Sequence, residues 1–209
     1  SMAYRFLDGN IYIGGGFGSA GGTANANYLV PYDPRTDRFG TLNGTITTGA
    51  QANVQSVSIS SAGSIFFVGS FLGVGGTTSR NVGQYSGAYG TLGGSVINVA
   101  VDPVLTSLHA NGSFFIGGNY NTIGGTAYQG VGYWTSAGFS TLTNGTVDRA
   151  IALGWGLDNK LYIAGSFTTA GGSANANNVA SWNGTFGTLN GGLQGGGSVL
   201  ALVVAPDGR

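Results

Sequence analysis

The chain has 209 residues, no formal net charge, 42% hydrophobic residues and only 7% charged ones. That length and apolar content suffice for a buried core and argue against disorder. Seven scattered Lys/Arg supply no basic face for nucleic acid or an anionic membrane surface, no apolar run reaches the roughly 20 residues of a membrane span, and the absence of Cys removes disulfides, thiolate metal sites and cysteine nucleophiles.

Ser1-Met2 reads as a cloning remnant ahead of a domain start, and no signal peptide is evident. The first unit then opens on an apolar stretch over 3–7, a turn at Asp8-Gly9 and the run Ile11-Tyr12-Ile13. Phe17, the pair Gly21-Gly22, Tyr32 and Phe39-Gly40-Thr41-Leu42 follow. The second unit repeats this order: a stretch over 54–60, the turn Ala62-Gly63, Ile65-Phe66-Phe67, Phe71, Gly75-Gly76, Tyr85 and Tyr89-Gly90-Thr91-Leu92. The third has Asn111-Gly112, Phe114-Phe115-Ile116, Tyr120, Gly124-Gly125, Trp134 and Phe139-Ser140-Thr141-Leu142. The fourth has a stretch over 151–155, Asp158-Asn159, Leu161-Tyr162-Ile163, Phe167, Gly171-Gly172, Trp182 and Phe186-Gly187-Thr188-Leu189. A last apolar stretch over 199–204 precedes Asp207-Gly208. The apolar runs step by 54, 49 and 47 residues, and the Gly pairs step identically. Landmarks recurring in one order four times define an internal repeat.

Each unit reads as four short strands, A to D. Asp-Gly and Asn-Gly between A and B suit a type I′ hairpin turn, in which both central residues take positive φ. The unbroken apolar run of strand B predicts burial on both faces. In the turn over 33–37, Pro34 presets the backbone and an Asp side chain can bond the turn amides. No segment has a helical period. The expected fold is all-β: a β-propeller of four-stranded antiparallel blades, which buries both faces of each blade by radial stacking. A parallel β-helix is the competitor, but its shorter coils need no A–B hairpin. The units fall at about 1–52, 53–95, 96–145 and 146–194, with a terminal extra strand over 195–209, in one repeat domain spanning 1–209. That makes 17 strands where a closed four-blade ring needs 16. A four-bladed ring closed by the spare strand, part of a larger propeller, and an oligomeric ring of two chains all remain open.

The stretch Tyr32-Asp33-Pro34-Arg35-Thr36-Asp37-Arg38-Phe39 resembles the kelch repeat, and the recurring Ile-Tyr-Ile-x-Gly-x-Phe-x-x-x-Gly-Gly pattern is similar to kelch-like propeller repeats of microbial and viral surface proteins. The resemblance covers nearly the whole chain. It implies that the B–C and D–A loops share one face, often a ligand-binding face, and it favours an extracellular, cell-surface or virion setting. Fold alone does not set function.

Asn27, Arg80, Gln129 and Asn177 occupy equivalent places in the B–C connections, and Ala-Asn-Ala-Asn recurs with Asn25 and Asn175. Amides beside aromatics offer donors and acceptors to a sugar; capping of the loop backbone is the plainer role for the same residues. These six are the candidate ligand contacts. The expected function is a non-catalytic recognition or adhesion module for a glycan or protein partner, with a purely architectural module and a carbohydrate-acting propeller enzyme as alternatives. The enzyme reading is weakened by the lack of Glu, Cys and clustered His; a gathering of Asp102, Asp148 and Asp158 would revive it. Lone His109 reads as structural, and one His without Cys excludes the copper site of galactose oxidase, which shares a kelch-like propeller. Gly16-Phe17-Gly18-Ser19-Ala20-Gly21 fits a dinucleotide fingerprint in letters only, since no helix follows. Asp33 and Asp37 share a turn and suit capping better than acid–base work or a Ca²⁺ site. Four Asn-Gly-Ser/Thr triplets, at Asn43, Asn111, Asn144 and Asn183, are explained by turn chemistry. No cofactor and no metal is expected, nor any nucleic-acid partner or membrane insertion; a homo-oligomer through the spare terminal strand is a further expectation.

Overall fold

The computed structural model of the chain describes residues 1–24, 26–47, 52–93, 96–97, 104–120, 122–127, 130–142, 147–172 and 175–205. Among these it forms 24 strands and no helix. Sheet I contains β1 (Met2–Arg5), β2 (Asn10–Gly14), β5 (Leu29–Asp33) and β6 (Arg38–Phe39). Sheet II contains β8 (Asn53–Ile59), β9 (Ile65–Ser70), β12 (Val82–Tyr85) and β13 (Tyr89–Gly90). Sheet III contains β15 (Val104–Ala110), β16 (Ser113–Gly118), β19 (Val131–Thr135) and β20 (Gly138–Thr141). Sheet IV contains β21 (Ala150–Trp155), β22 (Leu161–Gly165), β23 (Val179–Trp182) and β24 (Phe186–Thr188). In every sheet the order is A-B-C-D and all neighbours are antiparallel.

The B–C connections carry small hairpins: β3 (Ser19–Ala20) with β4 (Thr23–Ala24), β10 (Gly73–Val74) with β11 (Thr77–Thr78), and β17 (Thr122–Ile123) with β18 (Thr126–Ala127). The Gly pairs make their turns. Gly75 and Gly76 have φ of +57° and +79°, and a Cβ on Gly75 would press on the Tyr89 carbonyl oxygen at 3.0 Å. Only glycine satisfies both demands cheaply. Two short strands from the D–A connections, β7 (Ile46–Thr47) and β14 (Val96–Ile97), pair with β10 and β17 of the following unit. The first unit is thus stitched to the second and the second to the third.

The type I′ expectation for the A–B turns holds at Asn111-Gly112, where φ is +48° and +72°. It is corrected at Asp8-Gly9, and the turns at Ala62-Gly63 and Asp158-Asn159 share that form. There only the second residue, Gly9, Gly63 or Asn159, has positive φ. These loops are longer, closed by bonds such as Ser60 N–H to Ser64 O at 2.9 Å, so a single left-handed residue reverses the chain.

The core lies between successive sheets. Tyr12 and Leu29 meet Val57, Ile65 and Phe67; Phe66 and Val68 meet Phe114 and Ile116; Phe115 meets Leu161, Ile163 and Phe167. Alternate residues of one B strand therefore serve two different cores, and β9 and β16 are buried on both faces as their unbroken apolar runs predict. The aromatic-x-Thr-Leu signature has the same double duty. Tyr89, Phe139 and Phe186 pack toward the preceding sheet, whereas Leu42, Leu92 and Leu142 pack toward the following one. Trp134 Nε1 donates to Leu92 O at 2.8 Å across the joint between sheets II and III.

The A strands β1, β8, β15 and β21 lie each against the next. Ser107 N–H donates to Ser56 Oγ at 3.0 Å between the second and third. Residues 199–205 continue this row over sheet IV, with Val199 and Leu202 packed on Ala152, Ala164 and Val179. They form no strand ladder, which corrects the expected seventeenth strand: an A strand is paired by the B strand of its own unit, and this segment has none among the described residues. No extended contact joins the strands of sheets I and IV among the described residues.

Candidate site at the connection end of the sheets

Antiparallel order places the A–B turns at one end of every sheet and the B–C and D–A connections at the other. Among the described residues, two clefts lie at the connection end. The one on sheet IV has a volume of about 290 Å³, with Asp148, Thr168, Asn177 and Gln194 near Phe167. The one on sheet II has about 300 Å³ and is lined by Thr47, Leu72, Thr77 and Arg80 among others.

The sheet IV cleft is built by close backbone approach. Asn177 stands in the left-handed region at φ +41° and donates from Nδ2 to Gly191 O at 2.8 Å. Leu193 N–H returns a bond to Asn177 O at 2.8 Å. A Cβ at Gly192 would collide with Ala176 O at 2.2 Å, so glycine lets the segment after β24 lie flat on the B–C connection. Asn178 Oδ1 accepts from Phe167 N–H at 3.1 Å, and Asn81 Oδ1 accepts from Phe71 N–H at 3.3 Å at the matching place in sheet II. Backbone capping is therefore one real duty of these asparagines.

Of the sequence candidates, Arg80 is exposed and lines the sheet II cleft, and Asn177 lines the sheet IV cleft. Asn27 is half-buried at φ +38°, equivalent to Asn177. Asn175 is exposed at φ +70° and does not line the cleft. Asn25 and Gln129 lie outside the described residues. The candidates are distributed one connection at a time and do not converge on a single pocket. Asp148, Thr168 and Gln194 had been missed as partners of Asn177. The recurrence of Gly-rich D–A segments was the available signal, but their lengths vary too much to align. Asp148 and Asp158 stand beyond opposite ends of β21, and Asp102 lies outside the described residues. No group of three or more His, Cys, Asp or Glu is placed to hold a metal among the described residues.

The opposite end and outer edge hold most of the described charges. In sheet I a cleft of about 240 Å³ is lined by Asp8, Asp33, Arg35 and Arg38. Its groups are largely mutually satisfied. Asp8 accepts from Arg5, from Asn10 N–H at 3.2 Å and from the Tyr12 hydroxyl at 2.9 Å. The Arg5 guanidinium holds the Asp8 carboxyl well below the usual carboxylate range, and burial with Asp8 beside it pushes Tyr12 up to about 12. Asp33 Oδ1 accepts from Arg35 N–H at 2.9 Å, which is the turn capping expected of it, and Asp37 Oδ1 accepts from the Tyr32 hydroxyl at 2.7 Å. Asp158 and Tyr162 repeat the Asp8–Tyr12 pairing at 3.0 Å in sheet IV. In sheets II and III the strand-B residue is Phe66 or Phe115 and the turn carries no Asp, so hydroxyl and carboxylate come and go together. His109 is half-buried with its ring 5.4 Å from that of Phe66, and burial lowers its pKa. The Gly16-to-Gly21 stretch runs into the β3–β4 hairpin, which has no helix N-terminus to receive a pyrophosphate. No protein-family model matches this chain, and no curated protein matches it.

Proposed function

We propose that the chain is a non-catalytic recognition module of β-propeller type, binding a glycan or protein partner at the connection end of its sheets. The observation that carries this reading is the sheet IV cleft. Carboxylate, hydroxyl and amide groups of Asp148, Thr168, Asn177 and Gln194 line it together. Sugar hydroxyls donate and accept at once, and this set answers both needs. Four sheets of one strand order, each sharing a core with the next, support the propeller. A composition without Glu or Cys and with one His supports a binding role over a catalytic one. A glycan array followed by titration calorimetry tests the reading. Gln194→Ala and Asp148→Asn should each weaken a ligand about tenfold, the value of one good hydrogen bond to a partner group. Unchanged affinity in both variants would remove the cleft as the site. An architectural role is the second reading, favoured by the apolar ends of the sheet row.

A further inference from the structure

Segment 199–205 lies at the place of an A strand, and no B strand pairs it among the described residues. Val199 N–H donates to Gly165 O at 3.0 Å, as Val54 N–H donates to Gly15 O at 3.2 Å where sheet II meets sheet I. Val199 and Leu202 face sheet IV, while Leu200 and Val203 face outward, Val203 at 89% exposure. Sheet I has the converse defect. Its A strand β1 has four residues, against seven in β8 and in β15. The face that β1 shares with Ile11 and Ile13 has no neighbouring sheet, and Met2 is 70% exposed. The fit of β1 is also imperfect: Arg5 Nε and Asn10 Oδ1 are buried without a hydrogen-bond partner among the described residues. The corresponding face of sheet II, including Val57, Ile65 and Phe67, is the wall of a core.

We propose that residues 199–205 of one copy pair with β2 of a second copy in place of β1, so that sheet I of the second copy packs on sheet IV of the first. The shared place of Val199 and Val54 sets Leu202, Val203 and Val204 at the places of Val57, Ser58 and Ile59 of β8. Val57, Ser58 and Ile59 stand opposite Phe67, Phe66 and Ile65, the equivalents of Ile13, Tyr12 and Ile11, so the register is Leu202 opposite Ile13, Val203 opposite Tyr12 and Val204 opposite Ile11, where Met2, Ala3 and Tyr4 stand within one copy. Ile11 and Ile13 then meet the face of sheet IV that bears Ala164, just as Ile65 and Phe67 meet the face of sheet I that bears Tyr12. A second copy is the matching occupant because this joint continues the sheet-to-sheet interface already repeated within the chain. Two reciprocal joints close a two-copy ring of eight sheets; a rotation that does not close continues the copies head to tail.

The test is solution mass by light scattering over a concentration series, with two full-chain variants. Ser1 and Gly14 exchange both backbone bonds, at 3.0 and 2.8 Å, so the Ala3–Tyr12 pair two residues on is a bonded pair, and Val203 inherits its N–H donor role. Val203→Pro removes that donor at a residue that packs on nothing within its own copy. Ile13→Lys puts a charge on the receiving face. The wild-type chain should exceed 20.9 kDa and grow with concentration. Each variant alone should associate at least about tenfold more weakly. An equimolar mixture should recover a two-copy species, because each variant keeps the half of the joint that the other has lost. A wild-type mass of 20.9 kDa up to about 100 μM overturns the proposal, including the case where the segment closes on its own sheet I. Wild-type association by both variants, or a monomeric mixture, also overturns it. Should either variant fail to fold, Ile13→Cys mixed with Leu202→Cys keeps the question open to decision, since the chain has no other Cys. The mixture should give a disulfide-linked heterodimer on oxidation, and its absence counts against the joint.

Discussion

Strands β2 and β16 carry nearly the same apolar run at the same place in their sheets, Ile11-Tyr12-Ile13 and Phe114-Phe115-Ile116. In β16 both faces are sealed, and Phe114 and Ile116 are 0% exposed. In β2 only the Tyr12 face is sealed, and Ile11 and Ile13 remain half-exposed. The sequences differ little; what differs is whether a neighbouring sheet stands on each side. In a row of repeats each sheet contacts only its neighbours, so stability resides in the joints as much as in the sheets. Terminal repeats of such rows are normally given a polar outer face. Among the described residues the outer face of sheet I carries Met2, Tyr4, Ile11 and Ile13, an apolar surface that the proposed joint between copies would cover.

The largest expected effect comes from making one substitution on both strands. Ile116→Ala empties a sealed joint and should cost about 2–5 kcal/mol, by transfer and cavity terms together. Ile13→Ala, studied on the dilute chain, should cost clearly less, since part of its surface is already in water. Urea unfolding curves of the two variants decide this, and equal losses would mean that the joints are not where the stability lies.

A smaller effect should separate two tryptophans at equivalent places in strand C. Trp134 Nε1 bonds Leu92 O across a joint, whereas Trp182 Nε1 is buried without a hydrogen-bond partner among the described residues. Trp134→Phe should therefore destabilise by about 1 kcal/mol more than Trp182→Phe, the value of a buried bond whose acceptor is left unpaired. Comparing the shifts in the denaturation midpoint at constant slope reads this difference.

The smallest effect concerns pH. Burial against Phe66 lowers the pKa of His109 from 6.5 in the unfolded chain. The unfolded chain then takes up a proton before the folded one does. The stability from neutral His109 is complete above pH 6.5 and falls as pH drops through the lowered folded value. Stability measured between pH 7 and pH 5 should decline, and His109→Gln should flatten that slope; an unchanged slope would assign it elsewhere. The Asp8 and Asp33 carboxyls, held low by Arg5 and Arg35, lose their contributions only in stronger acid.

Much of the fold was legible in the residues because it rests on local rules. Unbroken apolar runs announced strands buried on both faces, and β9 and β16 are so buried. Asp33 was readable as a turn cap because its target amide lies two residues away. The A–B turn departs from type I′ at Asp8-Gly9 because a dipeptide does not reveal loop length. A longer loop needs only one left-handed residue.

The sequence by itself determined the four-fold strand order, the Gly-Gly turns and the residue types that face each joint, since period-two alternation and positive φ are properties of a few neighbouring residues. Only the tertiary structure decided that Asp148, Thr168 and Gln194 gather round Asn177, and that segment 199–205 lies on sheet IV without a ladder of its own. Those outcomes depend on how chain segments tens of residues apart pass over one another. No local period encodes that crossing; the packing of whole sheets sets it.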